Sequence, residues 1–432
     1  MLTNLHKRYP EGICLIIYLI GVIWRYYYLL HVHPATQFVY SDMQSYVITA
    51  QNFSNPNYQP SIADTIYPPG TGIYLGLLYR LDPSWHLAMM VQWLLSSLVP
   101  ILLALIGYEL YGKKVALLTL VISSLYFPFI DYASYFMSEG PLLFTTTLSI
   151  WCLVRSLRVK NIHAAPLWGL ASGLSLGLAA SCKSVVLLPG FLIALALVHW
   201  GWKEKWRRIL WISCAGSVGL MLLIVPQAIR CTRLNEGHYC TISNNGNLNM
   251  LLGHYGLLKA ADFNDRQRNF FHSFGPPPAW QMGYEEHATF PFGAYDAKQA
   301  SQAAWQWIRS HPIDALVLST SHIFELIFGT VPWPSSHTAA RRWVQFSQQF
   351  YWVFLLLPGI LHLKKNFRHL SDVSGPGRAD LILLLPLVGL MITAFFTFGE
   401  PRFRIPFDGF MILLAVRWYT RGECRPDGLI KR

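Results

Sequence analysis

Charged residues are scarce in this chain of 432 residues. They make up 13% of the sequence, whereas hydrophobic residues make up 53%. Soluble globular proteins carry about 25% charged residues. The composition therefore argues against a soluble globular domain and favours a protein that lies largely within a lipid bilayer.

Several sequence signatures of soluble enzymes are also missing. There is no Walker motif, no dinucleotide-binding glycine fingerprint, no G-x-S-x-G elbow and no H-E-x-x-H pair. The 15 histidines show no metal-ligand spacing. The net charge of +12 comes without zinc-finger spacing or a basic, aromatic nucleic-acid module, so no nucleic-acid partner is predicted.

Long apolar runs, in contrast, are abundant. A membrane-spanning helix needs about 20 mostly apolar residues, and the 16 Trp and 22 Tyr suit aromatic belts at the two interfaces. We therefore predict an all-α polytopic membrane protein, in one domain covering residues 1–432. The candidate runs lie near 12–30, 85–107, 115–131, 140–154, 166–181, 184–200, 209–226, 313–331, 348–363, 380–398 and 404–418.

The basic residues predict the topology. Most of the 34 Lys and Arg fall near residues 7–8, 113–114, 155–160, 203–208, 364–378 and in the tail from 417. The positive-inside rule places all these groups in the cytoplasm, which requires that one of the eleven runs does not span. The run at 313–331 contains His322 and Glu325, so we interpret it as an interfacial helix on the outer leaflet. About ten spans follow, with both termini cytoplasmic.

Two large extracytoplasmic segments result, at about 31–84 and 227–347. The first contains Asp42, and a Tyr67-Pro68-Pro69-Gly70 break precedes a short amphipathic helix predicted over 71–81. The second has a predicted helix over 296–310. Its aromatic residues could stack on sugar rings or simply pack an outer cap against the membrane: Trp280, Tyr284, Tyr295, Trp305 and Trp307.

Three acids on this outer side are candidate catalytic residues. Asp42 could act as a general base, or it could cap the helix that follows it. Asp131 and Glu139 flank a predicted tight outer turn. They could orient an acceptor, bind a divalent metal or hold a cation, or they could belong to a solvated turn.

Three bases on the same side are candidate phosphate ligands. Lys183 lies between two apolar runs and could bind a phosphate or snorkel at a span end. Arg402 and Arg404 lie at the mouth of the last run, where two arginines suit phosphate recognition. The alternative is that they pair with Glu400 and Asp408.

Two of the seven cysteines stand apart. Cys231 and Cys240 flank a hairpin-like stretch in a compartment that could be oxidising, so a disulfide between them is one prediction. The cysteines in or beside apolar runs are expected to behave as small hydrophobic residues.

Taken in order, several short segments resemble the GT-C superfamily of polytopic glycosyltransferases. The similarity is to the branch with the protein O-mannosyltransferases, the aminoarabinose transferases of lipid A and the RgtA/B/C/D-like enzymes. Asp42 stands at the place of the first-loop acid of that branch, although Met43 replaces the Glu that many members have next. The other segments are Tyr67 to Gly70 followed by Ile73 to Leu75, Tyr135 to Glu139, Gly173 to Lys183, Asn244 to Gly253 and Arg402 to Pro406.

The resemblance implies an inverting transfer of a sugar from a polyprenyl-phosphate donor to a glycan, lipid or protein acceptor. Asp42 would take the acceptor proton, and Lys183, Arg402 and Arg404 would stabilise the lipid phosphate. It also implies a location in a bacterial inner membrane, with the active face outside. No cofactor is required by these residues, although a divalent metal could take part.

Two other functions compete with this interpretation. A transporter would place ionisable residues near the middle of the bilayer in broken helices and paired repeats, whereas the candidate residues here lie outside the runs. An assembly factor for envelope polysaccharide would not need the outer acids at all.

Overall fold

The computed structural model describes residues 10–39, 42–203, 206–235, 237, 239–254, 297–329, 338–367 and 377–420. Within these ranges, every regular element is helical. The longer helices are α1 (Pro10–Tyr27), α2 (Asp42–Ser54), α3 (Pro69–Leu81), α4 (His86–Tyr111), α5 (Lys113–Leu125), α6 (Phe127–Asp131), α7 (Glu139–Arg158), α8 (Ala164–Cys182), α9 (Leu187–Lys203), α10 (Trp206–Leu234), α11 (Asn245–His254), α12 (Ala297–Ser310), α13 (Pro312–Phe328), α14 (Thr338–Phe350), α15 (Leu357–Asn366), α16 (Gly377–Phe396) and α17 (Pro401–Tyr419).

All eleven apolar runs correspond to helical segments. Among the residues that the structure describes, seven helices are long and apolar enough to cross a membrane, namely α1, α4, α7, α8, α9, α10 and α16, and the bent pair of α5 and α6 makes an eighth candidate. The run at 348–363 lies where α14 passes through a π-helical turn, Tyr351–Leu356, into α15. The all-helical polytopic fold is thus confirmed, and the count of ten spans stays a prediction.

The run at 115–131 is not one helix, contrary to the prediction. Tyr126 is extended, and α5 and α6 meet at an angle of 58°. Pro128 in the first turn of α6 lacks the N–H that a continuous helix would use. The buried Arg25 of α1 donates hydrogen bonds to the carbonyl oxygens of Ser123 and Ser124 at the end of α5. These bonds satisfy carbonyls that the break leaves without helical partners.

Small residues hold α8 against α10. A Cβ atom at Gly169 would lie 2.7 Å from the carbonyl oxygen of Ile212, and one at Gly173 would overlap the carbonyl of Gly216. Glycine at such positions lets two membrane helices approach closely. This contact fixes the path of α8 and hence the position of Lys183, which follows its last residue.

α10 continues to Leu234, which lies beyond the predicted start of the second outer segment at about 227. In the first outer segment, the predicted helix over 71–81 begins two residues earlier, at Pro69. The helix predicted over 296–310 is present as α12 from Ala297, and α13 begins directly after His311.

α17 is the most enclosed of the long helices that the structure describes. Its residues from Pro401 to Val416 are all buried, so protein rather than lipid surrounds it on every side. Its first turn lies against the start of α7 and the end of α8, because Arg402 and Lys183 both contact Glu139. The helix ends that carry the basic groups near Arg158 and Arg378 lie at the other end of the bundle.

Candidate active site

Five charged side chains meet where α2, α7, α8 and α17 begin or end. We call them the charge cluster: Asp42, Glu139, Lys183, Glu400 and Arg402. Four of them were singled out from the sequence as candidate base, acid or phosphate ligands. They come from four separate parts of the chain, so only the folded helix bundle brings them together.

Arg402 is the centre of the charge cluster. Its Nη2 lies 2.8 Å from Oδ2 of Asp42, and its Nε lies 2.7 Å from Oε2 of Glu400 and 3.9 Å from Oε1 of Glu139. The planar guanidinium can donate in several directions at once, which lets one side chain hold carboxylates from three elements.

Lys183 occupies the other side of Glu139. Its Nζ lies 2.8 Å from Oε1 of Glu139 and 3.7 Å from the centroid of the Phe403 ring. Burial lowers the pKa of Lys183. Glu139 is almost completely buried, with 1% of its surface exposed. Its Oε1 lies between Lys183 and Arg402 and links the two cations.

Asp42 is the most accessible acid of the charge cluster, with 24% of its side chain exposed. The hydroxyl of Tyr67 lies 3.4 Å from its Oδ1, and the ring of Tyr67 packs against that of Tyr46. Burial raises the pKa of both tyrosine hydroxyls, so both remain protonated donors. Asp42 is thus oriented by one arginine and one tyrosine while it stays open to a substrate.

The charge cluster holds three carboxylates but only two cations. Glu400 is 2% exposed, and burial raises its pKa to about 7 despite the opposing effects of Arg402 and Lys183. The repulsion from Asp42 and Glu139 acts in the same direction as burial. Because burial and two neighbouring negative charges both disfavour its ionised form, Glu400 is expected to gain a proton more easily than the other two carboxylates.

Arg404 does not join the charge cluster. Its Nε lies 2.8 Å from Oδ1 of Asp408, its Nη1 donates to the carbonyl oxygen of Ile327, and its guanidinium packs on the ring of Tyr351. Asp408 also accepts a hydrogen bond of 2.6 Å from Tyr126. The pairing with Asp408 was the alternative interpretation of Arg404 from the sequence.

Asp131 is buried in a pocket of aromatic residues instead of lying in a solvated turn. It accepts a hydrogen bond of 2.6 Å from Tyr28, and the hydroxyl of Tyr135 lies 3.4 Å away. The whole segment between Asp131 and Glu139 is buried. The alternative of a solvated turn is therefore wrong, because Tyr28, which directly follows α1, and residues of α4 cover this segment.

Glu400 is the member of the charge cluster that sequence reasoning missed as a site residue. It was considered only as a partner for the arginines. The available signal was its position two residues before Arg402, at a helix start that was already predicted to face outward.

Cys231 and Cys240 form a disulfide in the structure, with their Cα atoms 5.5 Å apart. The stretch between them is not the hairpin that the sequence suggested, because Cys231 to Leu234 form the last turn of α10. Beyond Cys240, Asn244 donates hydrogen bonds to Thr65 of the first outer segment. The disulfide thus tethers, to the end of α10, a segment that contacts the first outer segment.

Other predicted residues contribute less to the site. Trp305 of α12 is exposed and Trp307 stacks on His311, whereas Trp280, Tyr284 and Tyr295 lie outside the described residues. The described part of the chain contains no group of three His, Cys, Asp or Glu side chains arranged to hold a metal ion.

Part of the charge cluster lies in a segment that is similar to a known protein family. Residues 78–235 match the family model of dolichyl-phosphate-mannose-protein mannosyltransferase. This segment includes Glu139 and Lys183 but not Asp42 or Arg402. A search of curated protein sequences gives no significant match.

Solved structures with a similar fold include an archaeal oligosaccharyltransferase. AglB from Archaeoglobus fulgidus, in complex with an inhibitory peptide and a dolichol-phosphate, is 12% identical and aligns over 96% of this chain and 50% of its own, with a TM-score of 0.53. The crystal structure of the Archaeoglobus fulgidus oligosaccharyltransferase in the apo form is also 12% identical, and it aligns over 96% of this chain and 51% of its own with a TM-score of 0.54. The chain thus spans about half the length of these structures, and the likeness concerns the fold alone.

A second match is ArnT from Cupriavidus metallidurans bound to undecaprenyl phosphate. It is 14% identical and aligns over 94% of this chain and 76% of its own, with a TM-score of 0.42, which is too low to support a conclusion about the fold. The family model and the archaeal structures together confirm the resemblance predicted from the sequence. The chain is a polytopic membrane protein whose fold is similar to that of the archaeal oligosaccharyltransferase, and its residues 78–235 match the model of the dolichyl-phosphate-mannose-protein mannosyltransferase family.

Proposed function

We propose that this protein transfers a sugar from a polyprenyl-phosphate donor to an acceptor at the extracytoplasmic face, with inversion of the anomeric centre. The observation that carries the proposal is the contact between Asp42 and Arg402. The contact brings the proposed proton acceptor and the proposed phosphate ligand into one site, in which an inverting displacement would place the acceptor and the departing phosphate on opposite faces of the anomeric carbon.

In this mechanism Asp42 accepts the proton of the attacking hydroxyl or amine of the acceptor. Arg402 and Lys183 stabilise the charge that develops on the departing lipid phosphate. Glu139 positions Lys183 through their 2.8 Å contact. Arg404 has no direct part, and its proposed role is to hold the start of α17 in place.

A lipid-linked donor also suits the surroundings of the charge cluster. A cavity of about 290 Å³ lies between α7, α8, α9 and α10, and its lining includes Ser149, Gly173, Leu187 and Phe407. Leu187 follows Lys183 by four residues, so the cavity begins close to the proposed phosphate site. Its apolar lining is suited to part of an isoprenoid chain.

The helix ends also support an extracytoplasmic site. The basic groups that the positive-inside rule places in the cytoplasm lie at the opposite end of α7 and α16 from the charge cluster. The sugar, the acceptor and the linkage are not specified by these residues.

The test is transfer by the protein in nanodiscs with a panel of dolichyl- and undecaprenyl-phosphate sugars. The assay measures release of the lipid phosphate, which is detected for any acceptor, including water. Asp42→Asn should reduce turnover by about 10²–10⁴-fold, the usual contribution of a general base, while donor binding persists. Asp82→Asn is the matched control, because Asp82 is an acid in the same outer segment but outside the charge cluster. Near-normal turnover by folded Asp42→Asn would remove Asp42 from the mechanism.

A further inference from the structure

Glu400 is the member of the charge cluster without a role in the proposed mechanism, in which Asp42 is the base, Arg402 and Lys183 bind the phosphate, and Glu139 positions Lys183. It immediately precedes α17 and is buried, and its Oε2 accepts the hydrogen bond from Nε of Arg402. Its second oxygen, Oε1, has no hydrogen-bond partner among the residues that the structure describes. A buried carboxylate with one engaged and one free oxygen requires an explanation.

The charges around Glu400 limit what can enter the site. Arg402 and Lys183 face it as cations, and Asp42 and Glu139 face it as anions. Tyr132 lies within electrostatic range, and the carbonyl of His322 packs against Gly399. With every acid ionised, the charge cluster already carries one negative charge in excess.

A phosphodiester brings one further negative charge to this site. Both cations are already engaged, Lys183 by Glu139 and Arg402 by Asp42 and Glu400. Arg402 can turn Nε to a phosphate oxygen only if Glu400 gives up its share of the guanidinium. Neutralising Glu400 achieves this and also removes one of the carboxylates that would repel the phosphate.

We propose that Glu400 is a proton-exchanging positioning residue, which holds Arg402 by an ion pair in the empty site and takes up one proton from solvent when the donor phosphate binds. The new O–H bond forms on the carboxyl group of Glu400, and Arg402 is released to the phosphate. The protonated carboxyl then presents an O–H donor where Oε1 was unpartnered. This inference rests on the proposed function, since it assumes that an anionic lipid phosphate binds beside Arg402.

Uptake of a proton on binding determines the direction in which the affinity for the lipid phosphate changes with pH. The empty site holds Glu400 ionised above about pH 7, in line with its raised pKa, and the bound phosphate favours the protonated form. Binding therefore weakens as the pH rises above that value, by up to about tenfold for each pH unit when one proton is taken up. Below it, the affinity should be nearly constant.

The experiment measures binding of a polyprenyl methyl phosphate to the full chain in nanodiscs between about pH 6 and pH 9. This phosphodiester keeps a single negative charge over that range, so its own titration does not contribute. Calorimetry in buffers of different ionisation enthalpy counts the protons taken up. We expect about one proton per lipid near pH 8 in the unmodified protein, together with a falling affinity.

Glu400→Gln keeps an oxygen that accepts from Arg402 but cannot ionise. It should bind the lipid without proton uptake, and its affinity should stay nearly constant with pH and exceed that of the unmodified protein near pH 8. Asp82→Asn should keep the unmodified pH dependence. A slope caused by loss of the Lys183 proton would survive in Glu400→Gln, so the variant separates the two groups.

Two results would overturn the inference. One is proton uptake and a pH slope that are unchanged in Glu400→Gln, and the other is lipid binding without proton uptake in the unmodified protein, which needs no variant. If no lipid phosphate binds at any pH, the proposed function itself fails, and this outcome is distinct from the other two.

Discussion

Asp42 and Arg402 are 360 residues apart in the sequence, yet Nη2 of Arg402 lies 2.8 Å from Oδ2 of Asp42. This contact joins the first outer segment to the start of the last described helix. Asp42 is partly open to solvent, whereas Arg402 is 8% exposed. The pair therefore connects the accessible surface of the site with its buried centre.

Arg402→Ala should weaken binding of a polyprenyl phosphate and also reduce turnover. The change leaves Asp42, Glu139 and Glu400 with Lys183 as the remaining cation of the charge cluster, and truncating one partner of a buried charge pair costs about 2–5 kcal/mol in measured complexes. Arg402→Lys keeps the charge but cannot reach several carboxylates at once, so its effect should be intermediate. Binding and turnover are measured separately in nanodiscs. An unchanged affinity in folded Arg402→Ala would argue against the phosphate site.

Arg404→Gln should instead lower stability while the folded fraction keeps its affinity for lipid phosphate within a few-fold. Arg404 pairs with Asp408 and donates to the carbonyl of Ile327 in the last turn of α13. Removing one partner of a buried ion pair typically costs about 3–5 kcal/mol. Thermal unfolding in detergent and lipid binding are the two measurements.

Asp408→Asn is the matched variant for Arg404, because it breaks the same pair from the other side. It should destabilise the protein in the same way, with lipid binding retained. A large loss of affinity in Arg404→Gln alone, at normal stability, would restore Arg404 to the phosphate site.

The two arginines illustrate what the sequence can and cannot predict here. Each of the eleven apolar runs corresponds to a helical segment of the structure, because a bilayer imposes a minimum length of apolar chain. Side-chain direction is different. Arg402 and Arg404 are two positions apart on one helix and therefore point in different directions, so one meets Asp42 and the other Asp408.

Other errors have the same origin. At the break near Tyr126, the freed carbonyl of Ser124 is satisfied by Arg25, which is 99 residues away in the sequence. The burial of Asp131 depends on Tyr28, which directly follows α1, and on residues of α4 that contact the neighbouring backbone. Hydropathy along a single run contains no information about either contact.

Mass spectrometry of unreduced, alkylated protein should find Cys231 linked to Cys240. A disulfide that closes so short a loop is expected to stabilise the fold by about 2–3 kcal/mol. Reductant should therefore lower the midpoint of thermal unfolding, and Cys231→Ser should abolish this sensitivity. Cys214→Ser is a suitable control, since Cys214 is a free, exposed cysteine. Two free thiols in protein taken from its native membrane would contradict the disulfide.

The placement of α13 decides the topology. It has 17 residues, so it is about 26 Å long, somewhat short for a bilayer core of about 30 Å. His254 of α11 contacts Ser319 in the middle of α13, and Gly399 packs on His322 one turn further along. Both contacts are with elements on the side of the charge cluster, which favours a helix that lies along the outer leaflet.

Single cysteines can test this placement in intact cells with an impermeant thiol reagent. Pro60→Cys and Lys160→Cys lie at exposed positions and should be labelled and protected, respectively, in the ten-span topology. Lys365→Cys, at the exposed end of α15, is the position that discriminates. If α13 lies on the outer leaflet, α14 and α15 carry the chain inward once and Lys365→Cys is protected until the cells are opened. If α13 crosses the membrane, the same cysteine faces outward and reacts, and the topology would then have eleven spans with the termini on opposite sides.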